Sequence, residues 1–217
     1  MILDKGILLT SILVIILTAV LAGMRTVYGF DWCTNREKPF YQVWTSRRLY
    51  PAVFIWLVVY FLLWYLSDQS MTAIRLLDLV LTYLILAAVD VKRKVVPDPI
   101  FLCYFAGQML MGALAVEPTE LWHMVWTGTV FGAIVLISAL ISKEKVGMGD
   151  VLLLWITAMT AGWMYTLLIL ALGLFLSFAF GIVLIIFRRG TLNTEVPFVP
   201  FLTMGTILHT LFFVLEI

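Results

Sequence analysis

The sequence predicts an all-α, polytopic transmembrane helical bundle of about eight spans with its N-terminus outside; seven spans is the alternative. Three observations predict it. Apolar residues make up 63% of the 217 and charged residues only 12%, where a soluble domain carries about 25% charge. The apolar residues fall in runs close to the roughly 20 that a helix needs to cross a bilayer. The basic residues gather in alternate connections between those runs, the positive-inside pattern. No stretch reads as a soluble domain, linker, repeat or low-complexity tract, so residues 1–217 are expected to form one integral-membrane domain. The net charge of +1 says little about partners, and none is expected to be a nucleic acid.

The spans follow in order. Gly6–Gly23 is about 18 residues, longer than the roughly 7–15 of a signal-peptide core, and is read as a spanning helix. Pro51–Ser67, Thr72–Val89, Pro99–Val116 and Leu121–Ile141 follow. Val151–Trp163 is short, and Gly162 either separates it from Tyr165–Phe187 or bends one long helix, which gives the seven-span alternative. Phe198–Ile217 is the last. With the N-terminus outside, the connections 24–50, 90–98, 142–149 and 188–197 are cytoplasmic. They hold Arg25, Arg36, Lys38, Arg47, Arg48, Lys92, Arg93, Lys94, Lys143, Lys145, Arg188 and Arg189, which is 12 of the 14 basic residues. Cys33 and Cys103 are too few for a four-thiolate zinc site and are expected to be free thiols. Arg36, Lys38, Arg47 and Arg48 either set topology or meet anionic headgroups or a substrate carboxylate.

Two aspartates stand at the ends of apolar runs on that cytoplasmic side. A carboxylate at the edge of hydrocarbon is costly to keep, which makes it a functional candidate. Asp90 opens Asp90-Val91-Lys92-Arg93-Lys94-Val95-Val96-Pro97-Asp98. Pro97 and Pro99 stop a helix from running through, and Asp98-Pro99 reads as an N-cap followed by a first-turn proline. Asp150 closes Gly147-Met148-Gly149-Asp150. Gly147 and Gly149 allow close backbone approach, and the plain alternative for Asp150 is another N-cap. For Asp90 the plain alternative is a surface charge neutralised by Lys92 or Arg93. Two close carboxyls cannot both ionise cheaply, so they share a proton. One then takes a proton from water while the other polarises a scissile carbonyl. Such hydrolysis needs no metal and no cofactor. Helix dipoles alone favour the anion at Asp150 and the proton at Asp90.

Glu195-Val196-Pro197-Phe198-Val199-Pro200 forms a proline- and phenylalanine-rich entry to the last span. It reads either as a proline-started helix or as a wall of a substrate groove. Asp78 lies 12 residues, about 18 Å of helix, before Asp90. It is therefore excluded from the pair, and Arg75 one turn away is its expected partner. His209 reads as a hydrogen-bonded core histidine and His123, beside Trp122 and Trp126, as part of an aromatic belt.

The chain resembles the type IV prepilin peptidases, intramembrane GxGD aspartyl proteases of bacteria. The resemblance rests on Asp90–Asp98, on Gly147-Met148-Gly149-Asp150-Val151-x-Leu153, and on Val196-Pro197-Phe198-x-Pro200-Phe201-Leu202-x-x-Gly205, in the family's order, over residues 80–217. It implies that Asp90 and Asp150 are catalytic, with Gly147 and Gly149 as motif glycines. Pro97, Asp98, Glu195, Pro197, Phe198 and Pro200 are expected to support the motifs or the substrate. It implies as partners precursors with a basic leader and a hydrophobic helix, together with membrane lipids, and places the chain in the inner membrane. Many bacterial members also carry a zinc-binding cysteine loop and methylate the new N-terminus with S-adenosylmethionine. Here residues 24–50 hold only Cys33, so the zinc loop is missing. Methylation, and with it that cofactor, is left open. Competing readings are a proton- or ion-coupled transporter using Asp90 and Asp150 as relays, a presenilin-like or signal-peptide-peptidase-like protease, and a methyltransferase or scaffold.

Overall fold

Long apolar runs punctuated by proline, glycine and charge become helices, and the computed structural model describes residues 5–34, 39–66, 71–115, 118–141, 147–187 and 196–215. The described residues contain eight α-helices, one short 3-10 helix and no strand. They are α1 Lys5–Cys33, the 3-10 helix Phe40–Thr45, α2 Leu49–Leu66, α3 Met71–Arg93, α4 Asp98–Ala115, α5 Pro118–Ile141, α6 Met148–Ala161, α7 Trp163–Ile186 and α8 Val199–Leu215. Thr10–Cys33, Leu49–Leu66, Leu121–Ile141 and Trp163–Ile186 are long and apolar enough to cross a membrane, while Met148–Ala161 and Val199–Leu211 are shorter apolar helices. The α7 surface explains why lipid must be the solvent. Leu174, Phe175, Phe178 and Ile186 are each more than half exposed, an apolar stripe that water would not tolerate on a lone chain.

Two expectations change and one alternative is decided. The stretch 24–50 is not a loop throughout, because α1 continues ten residues past Gly23 to Cys33 and a 3-10 turn follows. Charge at Arg25 marked the expected end, but Arg25 is buried and ion-paired with Asp78. The α6–α7 junction is a break, as the reading with two separate helices expects, and not the bend of its alternative. Gly162 has φ 87° and ψ 157°, a region essentially restricted to glycine. Finally, α4 begins at Asp98 itself, so Asp98 lies in the first turn and is exposed. The preceding Pro97 carbonyl accepts from the Ile100 N–H at 3.1 Å.

The chain divides into two compact units, Met1–Asp78 with Pro97–Val125, and Leu79–Val96 with Trp126–Ile217. In the first, Asp78 is the centre of a buried polar node. Arg25 from α1 and Tyr60 from α2 both bond its carboxylate, and the Gln108 side-chain amide from α4 donates to it at 3.0 Å. To the reading of Asp78 as a local partner of Arg75 the structure adds a grip from three other helices. Burying the charge requires such compensation. In the second unit α7 and α8 cross closely through reciprocal glycines. A Cβ on Gly173 would lie 2.8 Å from Leu202 Cδ2, and one on Gly205 3.1 Å from the Ile169 carbonyl. His209 is buried and stacks on Tyr165 with ring centroids 4.1 Å apart.

Candidate active site

Three helix ends meet in the second unit, and the packing beneath them sets their height. On α3 the Tyr83 hydroxyl lies 2.7 Å from the Thr157 hydroxyl of α6. From that tie α3 runs seven residues on to Asp90, and α6 runs seven residues back to Asp150. Seven residues are two turns, about 10 Å of helix. Both carboxyls therefore lie on the same helix faces as the tie and at matching height above it. A third helix joins the same tie, because the Thr203 hydroxyl of α8 donates to the Tyr83 carbonyl at 3.2 Å. One turn before Thr203, α8 starts at Val199, whose N–H donates to Asp90 Oδ2 at 3.1 Å.

The prolines explain that last bond. Pro197 and Pro200 have no N–H, and the N–H groups of Phe201 and Leu202 are taken by the Phe198 carbonyl. The start of α8 thus presents the N–H groups of Phe198 and Val199, and both are directed to the Asp90 carboxylate. Glu195 lies outside the described residues, and Pro197, Phe198 and Pro200 are partly exposed.

Asp150 is not an N-cap. Gly147 occupies the cap of α6 without a side-chain bond, and Asp150 sits three residues into the first turn, its N–H on the Gly147 carbonyl at 3.0 Å. Its carboxylate folds back over the glycine, so a Cβ at Gly147 would stand 3.2 Å from Asp150 Oδ2. Gly149 has a different job. A Cβ there would be 2.7 Å from Val96 Cβ, a backbone-proximal atom that cannot swing aside. Only glycine lets the start of α6 lie against the strand of chain leaving α3. That chain turns at Lys94, which takes φ 54° while its N–H returns to the Asp90 carbonyl at 2.8 Å, a left-handed cap unusual for lysine.

Both aspartates lie just beyond the apolar stretches 72–89 and 151–163. Asp90 is buried and Asp150 half-buried. Burial lifts the Asp90 carboxyl above its ordinary value, opposed by the Val199 and Phe198 N–H groups and the Lys94 charge. Burial, and then the charge on Asp90, push Asp150 up to about 6. The two groups are therefore near enough to sense each other, and the Val199 and Phe198 N–H groups with the Lys94 charge favour the anion at Asp90. That contribution opposes the one expected from the dipoles of α3 and α6 alone. The missing contributor was the positive end of α8, 109 residues along the chain, aimed at Asp90. Sequence reasoning also missed Tyr83, Thr157, Val96, Lys94 and the Val199 N–H. Only the last had a legible signal, a proline-bounded helix start of the kind that binds anions.

These features define a helical membrane protein whose paired carboxyls sit at converging helix ends. The comparisons place it more narrowly: the model of the type IV leader peptidase family matches residues 76–186, and the chain belongs to that family. The match includes Asp90, Asp150, Tyr83 and Thr157, and ends before α8. Neither the comparison with curated proteins nor that with solved structures found a match.

Proposed function

We propose that this leader peptidase is an aspartic endopeptidase that removes a short basic leader from type IV prepilin or pseudopilin-like precursors at the cytoplasmic face of the inner membrane. The single observation that carries the reading is the convergence of Asp90 and Asp150 above the Tyr83–Thr157 tie, with α8 directing N–H groups at one of them. Eight spans with the N-terminus outside put both carboxyls on the cytoplasmic side. With Arg25 withdrawn into the bundle, the charge rule still has 12 minus 1, or 11, of the 14 basic residues in cytoplasmic connections.

Asp90, stabilised as the anion, takes a proton from water as the water oxygen bonds the scissile carbonyl carbon. Asp150 gives its proton to the carbonyl oxygen, which forms a neutral gem-diol. Asp90 then passes its proton to the amide nitrogen, the C–N bond breaks, and a diol hydroxyl returns a proton to Asp150. The leader's new carboxylic acid and the amine of the mature helix leave, the acid's proton passing to the amine, and the pair is restored. No step involves a metal or S-adenosylmethionine, and N-methylation lies outside the proposal.

The test is mass measurement of product made by the purified chain in liposomes from a precursor with a basic leader, a glycine and an apolar helix. The expected product is one mature N-terminus starting directly after the leader. Intact precursor, or cleavage inside the apolar helix, overturns the reading. With S-adenosylmethionine added to a parallel sample, a mass one methyl group higher would reveal methylation.

A further inference from the structure

Between the end of α1 and the start of α2, in the first unit, a cleft of about 370 Å³ has apolar walls that include Phe30, Pro51, Ala52, Ile55 and Trp56. Arg48, the residue just before α2, also lines it. This guanidinium is held on two sides. It ion-pairs with the buried Asp31 carboxylate at 3.3 Å and lies 4.8 Å from the centroid of the Phe30 ring. Its side chain nevertheless stays 47% exposed. A guanidinium has five N–H donors in a planar fork that matches phosphate, and the ion pair with Asp31 uses one of them.

The depth of this arginine in the bilayer follows from its neighbours. The 3-10 turn just before it exposes Tyr41 and Trp44 at 69% and 57%, amphipathic rings that belong at headgroup level. Arg47 adds a second exposed cation. A cation fixed at headgroup depth over an apolar slot that runs toward the hydrocarbon is complementary to one kind of molecule. It needs a phosphate at one end and an acyl chain at the other.

We propose that the α1–α2 cleft is a binding site for an anionic membrane phospholipid, with the headgroup phosphate on Arg48 and one acyl chain lying over Ala52, Ile55 and Trp56. The site is separate from the carboxyl pair and does not depend on the peptidase mechanism.

The full-length protein is purified in detergent, given equal amounts of phosphatidylglycerol and phosphatidylcholine with the same acyl chains, and its adducts are counted by native mass spectrometry. One basic residue at the membrane surface contributes about 1 kcal/mol toward an anionic lipid, so the wild type is expected to favour phosphatidylglycerol about fivefold. Arg48→Gln is expected to bring the ratio close to one with lipid still bound, because the acyl slot is intact. Ala52→Trp, which fills the slot, is expected to lose the bound lipid of both kinds. A wild-type ratio near one, or an unchanged ratio in Arg48→Gln, overturns the proposal. So does erasure of the preference by inorganic phosphate but not by chloride of equal ionic strength, which would mean a bare anion site. A lipid-free dimer in the same spectrum would assign the cleft to a second copy of the chain and overturn it too. Arg48 is half exposed, so its variant folds even if Ala52→Trp does not.

Discussion

Single atoms decide whether the two carboxyls can work together. Gly149 is the clearest case, because its missing Cβ is what admits Val96. Gly149→Ala is expected to destabilise the protein by roughly 1–3 kcal/mol, the usual cost of overpacking, and to lower cleavage. Val96→Gly in the same chain, which removes the Cβ that the added methyl meets, should restore part of both, as read by thermal melting and leader removal; no rescue would show that the contact is not the cause. Asp150 carries a pH signature. Its carboxyl is raised from the ordinary 3.8 to about 6, so the folded protein binds more protons than the unfolded chain between those values. Stability therefore falls as pH rises through that window. Asp150→Asn should flatten this slope and melt higher than wild type at pH 7. In the active enzyme the same group sets an alkaline limb, with kcat/KM falling above about pH 6, close to tenfold per unit, as the pair loses its shared proton. A wild-type melting curve insensitive to pH between 4 and 7 would contradict the assignment. At this scale the sequence was half legible. Acid residues beside apolar runs declared themselves, while the donor that favours the anion at Asp90 is an N–H brought in from Val199.

Helices carry those atoms to one level. The Tyr83 tie fixes α3 against α6 and α8 two turns beneath the pair. Tyr83→Phe and Thr157→Val each remove one side of the same bond. In a double-mutant cycle they should couple by about 0.6 kcal/mol, the usual size for a hydrogen bond between membrane helices. The loss of kcat/KM should be about tenfold in either single variant and no greater in the double, since a slight misplacement of reacting groups is costly. Fully additive losses would show that the two hydroxyls act independently. Periodicity, proline and glycine made the helices readable, including the break at Gly162, whose φ of 87° no other residue adopts easily. The end of α1 was not readable. Arg25 looked like the edge of a span because its partner, Asp78, lies 53 residues away, and a pairing across such a distance leaves no local trace.

For the whole molecule, composition alone gave the class, since a chain with so little charge cannot be covered by a polar surface. Two further outcomes belong to this scale. Arg25→Met leaves the Asp78 carboxylate buried without its cation and is expected to cost about 3–5 kcal/mol, seen as lost folded yield in detergent; yield equal to wild type would contradict the role given to the node. Orientation can be read in a chain whose two native cysteines are replaced by alanine. Cysteines placed singly at Ser46 and Val95 should react with an impermeant maleimide only after cells are opened, and one at Met164 should react in intact cells. The reverse pattern would turn the topology over. The most direct measurement of the central claim is leader removal by purified Asp90→Asn, Asp150→Asn and the double variant, each as kcat/KM on one precursor. Two groups acting as a unit predict that each single change lowers the rate by about 10⁴-fold or more and that the double is no worse than the poorer single. Cleavage at the wild-type rate by either single variant would contradict it.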